Sequence, residues 1–360
     1  MCDVPALRFP EFTEEWESVL LEDVAEFQKK RISSDLLNNS NYISTENILQ
    51  SFGGVQNSIS IPANTNVIEY QKGDVLLSNI RPYLKKVWLS DRHGGCSADV
   101  FVLRGNQCER RFLYYVIASD RFINFVMSGA KGVKMPRGDK SQMEKFAFFI
   151  PTNVEQKKIA RFLSMLDERI RLQNKIIEKL ETLIKGIIET VISSQKPNTL
   201  IKNCLECNSS TLQESQVAET GAFPVYGATG ISGYTETADI NGESILIIKD
   251  GSGVGTVKFV TGEYSYIGTL NSLSAKDGYC LKYIYIALQR FNFEPYKTGM
   301  AIPHIYFKDY GKAKIYCPSL SLQTLIAQKL SLIENKMEVE KRIILCYQLQ
   351  KSYLLSRMFI

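Results

Sequence analysis

The feature that most limits the fold is an internal duplication. Gly132-Val133-Lys134-Met135-Pro136 resembles Gly299-Met300-Ala301-Ile302-Pro303, an offset of 167 residues from 132 to 299. The same offset carries Pro151 onto Pro318, Gln156 onto Gln323, Ile159 onto Ile326 and Ala160 onto Ala327. It continues through Leu163 to Leu330, Ser164 to Ser331, Ile176 to Ile343 and Ile177 to Ile344, with no gap from Gly132 onward. Upstream, Asp74-Val75-Leu76-Leu77 parallels Ser244-Ile245-Leu246-Ile247, and 112–117 parallels 281–286, at offsets of 170 and 169. Solenoid repeats run about 20–50 residues. This is therefore a whole domain plus a helix written twice, with loops that differ on a shared framework.

Each half reads as a mixed α/β globular part followed by a long helix. Strand composition marks 75–77, 100–103, 146–150, 245–248 and 314–316, while 112–128 and 281–291 look helical. Gly53-Gly54, Gly94-Gly95 and the stretch 227–233 read as turns. After Pro151 the apolar positions Ile159, Leu163, Leu166, Ile170, Ile177, Leu180, Ile184, Ile187 and Val191 step by fours and threes, with Gln173 in one slot. That is a heptad seam. The second copy runs Ile326, Leu330, Ile333, Met337, Ile344, Tyr347, Leu354 and Met358, with Glu340 and Lys351 in the seam. Prolines 151 and 318 stand where a helix begins, and 193–198 ends the first helix. The seams predict that the helices pack on each other as an antiparallel coiled coil, against the plainer alternative of each covering its own domain. The expected fold is α+β: two pseudo-symmetric domains, 1–151 and 197–318, separated by helices at 152–196 and 319–360. A helix of about 37 residues spans roughly 55 Å, so such a rod would hold two similar modules at a set distance.

Composition narrows the function classes. The 360 residues suit two domains or more. Lys and Arg number 43 against 38 Asp and Glu, a net +5, too mild by itself to identify nucleic acid as the partner. The region 1–27 carries acidic residues throughout and no apolar core of signal-peptide length, and no run of about 18 apolar residues occurs. The expectation is a cytoplasmic protein with eight reduced cysteines and no membrane contact. Cys204 and Cys207 form one CxxC, but zinc wants four ligands and the chain holds only His93 and His304. Metal: none is expected. Gly251-Ser252-Gly253-Val254-Gly255 lacks the lysine and hydroxyl residue of a P-loop. There is no Asn/Asp-Pro-Pro-aromatic motif, and no catalytic residue is assigned.

Basic loops recur at duplicated places. Lys131, Lys134, Arg137, Lys140 and Lys145 fall within fifteen residues, in a stretch with glycines and Pro136 that lets cations approach phosphates. Lys297, His304, Lys308 and Lys312 form the weaker counterpart. Arg81, Lys85 and Lys86 follow a strand in one half, and Lys249-Asp250-Gly251-Ser252-Gly253 holds that place in the other. Arginine and lysine suit guanine edges and asparagine suits adenine. The candidate DNA-binding set is therefore Asn79, Arg81, Lys85, Lys131, Lys134, Arg137, Lys140, Lys249, Ser252, Asn271, Lys297 and His304. For any single lysine the plain alternative is a solvated surface charge.

These features resemble the specificity subunits of type I restriction–modification systems. The likeness rests on the opening Leu7-Arg8-Phe9-Pro10-Glu11-Phe12 with Trp16-Glu17 and Leu21-Glu22-Asp23-Val24. It extends to Ile150-Pro151 with Glu155-Gln156, to Ile159-Ala160, Leu166-Asp167 and Ile170, and to Pro224-Val225-Tyr226-Gly227-Ala228-Thr229-Gly230 with Gly233-Tyr234. The resemblance implies a target recognition domain in each half, reading one part of a split, asymmetric site on double-stranded DNA. It also implies helices that set the spacer, two methyltransferase subunits docked on the chain, and restriction/translocase subunits that join them. S-adenosylmethionine, ATP and Mg2+ would belong to those partners, and this chain would carry no cofactor. Three departures stand out: the second half lacks an Arg-Phe-Pro-like lead, Leu322 replaces the glutamate before Gln323, and Thr298 replaces Lys131.

Two other classes remain in view. A coiled-coil adaptor without DNA binding explains the helices but not the paired basic loops. A stand-alone DNA-modifying enzyme would need a metal or cofactor site among scattered carboxylates such as Asp74, Asp99 and Asp250.

Overall fold

The computed structural model describes residues 4–132 and 134–359. Val133 of the repeated motif and the first three residues of the N-terminal stretch lie outside the described residues. The chain forms two compact units, Met1–Asn174 with Arg342–Ile360, and Lys175–Lys341.

The first unit opens with an antiparallel ribbon, Glu17–Leu20 on Ala147–Ile150. A four-stranded antiparallel sheet follows in the spatial order Ala25–Phe27, Val100–Gly105, Val75–Ser78, Val87–Leu89. A second sheet runs Arg31–Ser33, Asn66–Tyr70, Gly94–Cys96, Tyr42–Ile43, its last pair parallel. The other unit repeats this plan. Its ribbon is Thr199–Leu200 on Lys314–Ile315, and its antiparallel sheet is Leu205–Ser209, Leu270–Ala275, Ser244–Ile248, Val257–Val260. Its second sheet is Gly230–Thr235, Phe223–Gly227, Glu263–Tyr266, Ile240–Asn241, again with one parallel pair.

The apolar run at 75–77 is explained by alternation along a strand. Val75 and Leu77 enter the core beneath the helices, and Leu76 joins Tyr70, Trp88 and Val102 in a second cluster. A strand covered on both faces reads as continuous rather than alternating.

Two local expectations are corrected. The helix expected over 112–128 is two helices, Arg110–Ile117 and Asp120–Ser128. Ser119 separates them, its hydroxyl accepting from the Phe122 N–H at 3.2 Å, an N-cap that restarts the helix. Gly94-Gly95 is not a turn but buried strand, where a Cβ on Gly94 would lie 2.1 Å from the Asn41 carbonyl oxygen. Cys204 Sγ lies 3.7 Å from Cys317 Sγ, and burial pushes the Cys207 thiol up to about 11.

Helix one spans Asn153–Ile188 and ends in a π-helical turn, Glu189–Ser193, while helix two spans Leu320–Met358. The boundary between the units falls inside both helices. In the first unit, Ile159, Leu163 and Leu166 share a core with Leu354, Leu355 and Met358. In the second, Ile184, Ile188 and Ile192 share one with Ile326, Ala327 and Leu330. The start of one helix thus meets the end of the other in each unit, an antiparallel pairing. Ile344 is buried, and Ile170, Ile177, Leu180, Ile333 and Met337 are half-buried on the same seams.

Each helix enters through the same strap. Gln156 donates to the Pro151 carbonyl at 2.8 Å and accepts from the Glu109 N–H at 2.9 Å. Gln323 donates to Pro318 at 2.8 Å and accepts from Cys280 at 3.0 Å. Both amides are buried and satisfied, so the duplication extends to single hydrogen bonds.

Candidate nucleic-acid interface

In each unit, the loop closing a sheet hairpin is fastened to a second loop tied across its base. In the first unit, the hairpin registers Leu77 opposite Val87 and the loop 79–86 joins the strands. The second loop closes where Lys131 and Arg137 exchange backbone bonds at 3.0 and 2.9 Å. The Arg81 N–H donates to the Pro136 carbonyl at 2.8 Å, and the Gly138 N–H donates to that of Asn79 at 3.1 Å.

The second unit builds the same object. Ile247 lies opposite Val257, so the loop 249–256 has the same length. Thr298 and His304 exchange backbone bonds at 2.9 and 2.8 Å. The Gly251 N–H donates to Pro303 at 3.0 Å, and the Ile305 N–H to Lys249 at 2.9 Å. Asn79, Arg81, Lys131 and Arg137 are thus gathered on one loop pair, and Lys249, Ser252 and His304 on the other.

Side chains decide what each pair presents. Lys131 pairs with Asp139 at 2.9 Å, and that bond, with help from the Gln142 N–H, holds the Asp139 carboxyl below its usual range. Arg137 pairs with Asp99 at 3.0 Å, Lys140 with Glu144 at 3.4 Å, and Lys85 with Asp120. Arg81 and Lys134 are exposed and make no ion pair among the described residues. Lys86, also without an ion pair among the described residues, is half-buried and donates to the Thr45 carbonyl at 2.7 Å, so Arg81 and Lys134 are the exposed unpaired cations of this loop pair.

In the second unit, Lys297 pairs with Glu294 at 2.6 Å and the His304 ring packs edge-on against Tyr306 at 5.4 Å. Ser252 is exposed and Lys249 half-buried. Two asparagines sit less openly than base readers would. Asn271 is buried within its sheet, its Oδ1 accepting from the Ser209 hydroxyl at 2.9 Å. Asn79 is half-buried, and its Oδ1 is enclosed without a partner among the described residues.

The lead segment, which sequence left unexplained, belongs to the base of helix one. Arg8 makes a two-pronged pair with Glu155, both bonds 2.8 Å, which raises the Arg8 pKa further. Phe9 packs on Phe162 and Trp16 on Phe112. Sequence reasoning also missed a polar knot on the seam, where Asp167 accepts from Tyr115 at 2.7 Å and from Lys351 at 2.5 Å. Among the described residues, no cluster of His, Cys, Asp and Glu is suited to a metal, and no helix is long and apolar enough to cross a membrane.

A chain of two duplicated mixed α/β units with paired long helices, each unit carrying the same two-loop platform, defines a narrow structural class. The family model described as the type I restriction modification DNA specificity domain matches residues 13–182 and 202–345. The chain belongs to this family.

Curated relatives agree over shorter stretches. The chain is 23% identical over 124 residues to the EcoDI type I restriction enzyme specificity subunit of Escherichia coli, covering 33% of this chain and 28% of that protein. It is 25% identical over 150 residues to a putative type I restriction enzyme specificity subunit of Haemophilus influenzae, covering 41% and 39%. These matches span well under half of either relative. Among solved structures, the S subunit of a type I restriction-modification system from M. genitalium superposes with a TM-score of 0.69 at 18% identity, over 99% of both chains. A chain from a study of complex assembly and conformational transition of the type I R-M system gives 0.55 at 20%, over 95% and 96%. These likenesses bear on the fold.

Proposed function

We propose that each unit reads one part of a split DNA target, and that the chain carries this specificity for methyltransferase and restriction subunits without being a catalyst itself. The observation that carries the reading is the two-loop platform, built twice with one backbone plan and different side chains. Equal backbones would place each platform alike on a duplex. Unequal side chains would give different half-sites, hence an asymmetric site with an unread gap. Arg81 and Lys134 contact the DNA in the first unit, loop cations mostly meeting phosphates and so setting affinity more than sequence.

The partners have a surface to meet. Outside the seam, helix two exposes Leu325, Leu332 and Val339 at seven-residue steps and Tyr353 further along, and helix one exposes Met165 and Leu172. A second heptad stripe suits helices of another subunit. S-adenosylmethionine, ATP and Mg2+ act in those partners.

The test is to map methylated adenines in DNA exposed to this chain with its methyltransferase subunits. A split, asymmetric motif with a constant gap is expected; a continuous motif overturns the reading. Charge reversal at Lys134 and Arg137 should weaken binding about tenfold or more on every sequence and flatten the salt dependence by about one to two in log–log slope. Binding that is absent at every salt concentration, with the partners present, favours an adaptor instead.

A further inference from the structure

The two platforms differ in kind at their tips. In both, the residue before the proline is apolar and exposed: Met135 in the first unit and Ile302 in the second. In the second unit the tip is apolar throughout, Met300-Ala301-Ile302, with Met300 at 107% and Ile302 at 64% exposure. Large apolar side chains held wholly in water at a loop apex are unfavourable relative to burial. This loop cannot fold them back onto its own domain. The backbone exchange between Thr298 and His304 pins its base, and the Gly251 N–H pins Pro303. Gly299 turns it at φ +90, where a Cβ would lie 2.3 Å from the Ile302 carbonyl oxygen.

The surroundings name the occupant. Residues 294–312 hold three lysines against Glu294 and Asp309, and with Lys297 paired to Glu294, Lys308 and Lys312 remain beside Asp309. Lys308 lies 5.1 Å from the ring of Tyr306, itself exposed beside His304. An apolar tip on a loop whose following segment carries Lys308 and Lys312 fits a polyanion with an apolar interior, and stacked bases inside a phosphate lattice are that object. Methionine and isoleucine are among the side chains that enter base steps as wedges.

Resting on the DNA reading above, we propose that Met300 and Ile302 form an apolar wedge that enters the second half-site and unstacks one base step, while the first unit relies on its cations. The second unit's selectivity then comes partly from how readily a step opens, since pyrimidine–purine steps yield most easily.

The experiment uses the chain with its methyltransferase subunits and a duplex carrying the target mapped by methylation. 2-Aminopurine is placed in turn at each position of the two half-sites other than the methylated adenines and their immediate neighbours, because a methyltransferase takes its target base out of the stack and would raise the signal there by itself. A fluorescence rise at one step of one half-site is expected, lost in Met300→Ser/Ile302→Ser along with roughly tenfold or more of the affinity. Met135→Ser should leave the rise intact. Binding by the unaltered complex with no rise at any position overturns the wedge and leaves the DNA reading standing. Failure of the unaltered complex to bind the duplex sinks the DNA reading itself. A rise that persists in the double variant also overturns the wedge, and because both side chains are exposed, the variant is expected to fold.

Discussion

Arg81 and Lys85 occupy the left-handed region, at φ 52 and 51, where residues other than glycine are strained. Their counterparts in the equal-length loop of the second unit are Gly251 and Gly255, at φ 99 and 92. The same turn thus takes glycine where nothing else is asked of it. Keeping cations there costs about 1–2 kcal/mol at each position, which argues that their side chains are used. Arg81→Gly should leave stability unchanged or raise it by up to about 1 kcal/mol, after the entropy that glycine adds to the unfolded chain. DNA affinity should fall together with the salt slope. Urea unfolding and titration at two salt concentrations check both, and unaltered affinity would remove the guanidinium from the interface.

The Lys351–Asp167 pair belongs to the same scale. Lys351 is buried in the seam with its ammonium 5.2 to 5.8 Å from the rings of Phe52, Tyr114 and Tyr115. Lys351→Ala strips a partly buried carboxylate of its cation and should cost about 1–3 kcal/mol. The double change Lys351→Met/Asp167→Leu should recover part of it, because apolar packing often replaces a buried pair without loss, while the buried Tyr115 hydroxyl loses its acceptor. Denaturant titration separates the two, and a double variant as unstable as the single one would contradict that account. A polar residue on an apolar seam fixes register, so the recovered variant should also melt less cooperatively.

At the scale of elements, much was legible because periodicity is local. The seams follow from spacing, the strands at 75–77 and 245–248 from composition, and the duplicated entry at Pro151 and Pro318 from the repeat. What escaped depends on partners distant in sequence. The missing Arg-Phe-Pro-like lead of the second half and Leu322 in place of a glutamate looked like two departures. They are one, since Arg8 exists to pair with Glu155, and without the lead a buried glutamate would be unpaired; Leu322 is exposed. Asn271 looked like an adenine reader by residue type, but its strand position buries it. Gly94-Gly95 looked like a turn because close backbone approach and turning both call for glycine. The strap shows the reverse case, a repeated glutamine whose meaning only the fold supplies. Gln156→Leu and Gln323→Leu each leave a buried N–H and a carbonyl unpaired. Each should cost about 2–3 kcal/mol, read as a lower urea midpoint, and near-equal losses would reflect equal straps.

For the whole molecule, the proposed spacing of the two half-sites depends on the helices, because helix one joins the two units along the chain and residues of both helices enter the core of each unit. Seven residues preserve a heptad seam and add about 10 Å at 1.5 Å per residue. B-DNA rises about 3.4 Å per base pair, so one heptad inserted in each helix should lengthen the gap by about three base pairs while each half-site stays the same. Inserting four residues instead moves the seam off its face and should cost stability before it changes any gap. Insertion in helix one alone offsets the seams and should behave like the four-residue case. Methylation mapping of the three variants distinguishes these outcomes. An unaltered gap in the double-heptad variant, with intact stability and activity, would mean that the spacing is set by the methyltransferase partners, and that the duplicated units are carried rather than held by their helices.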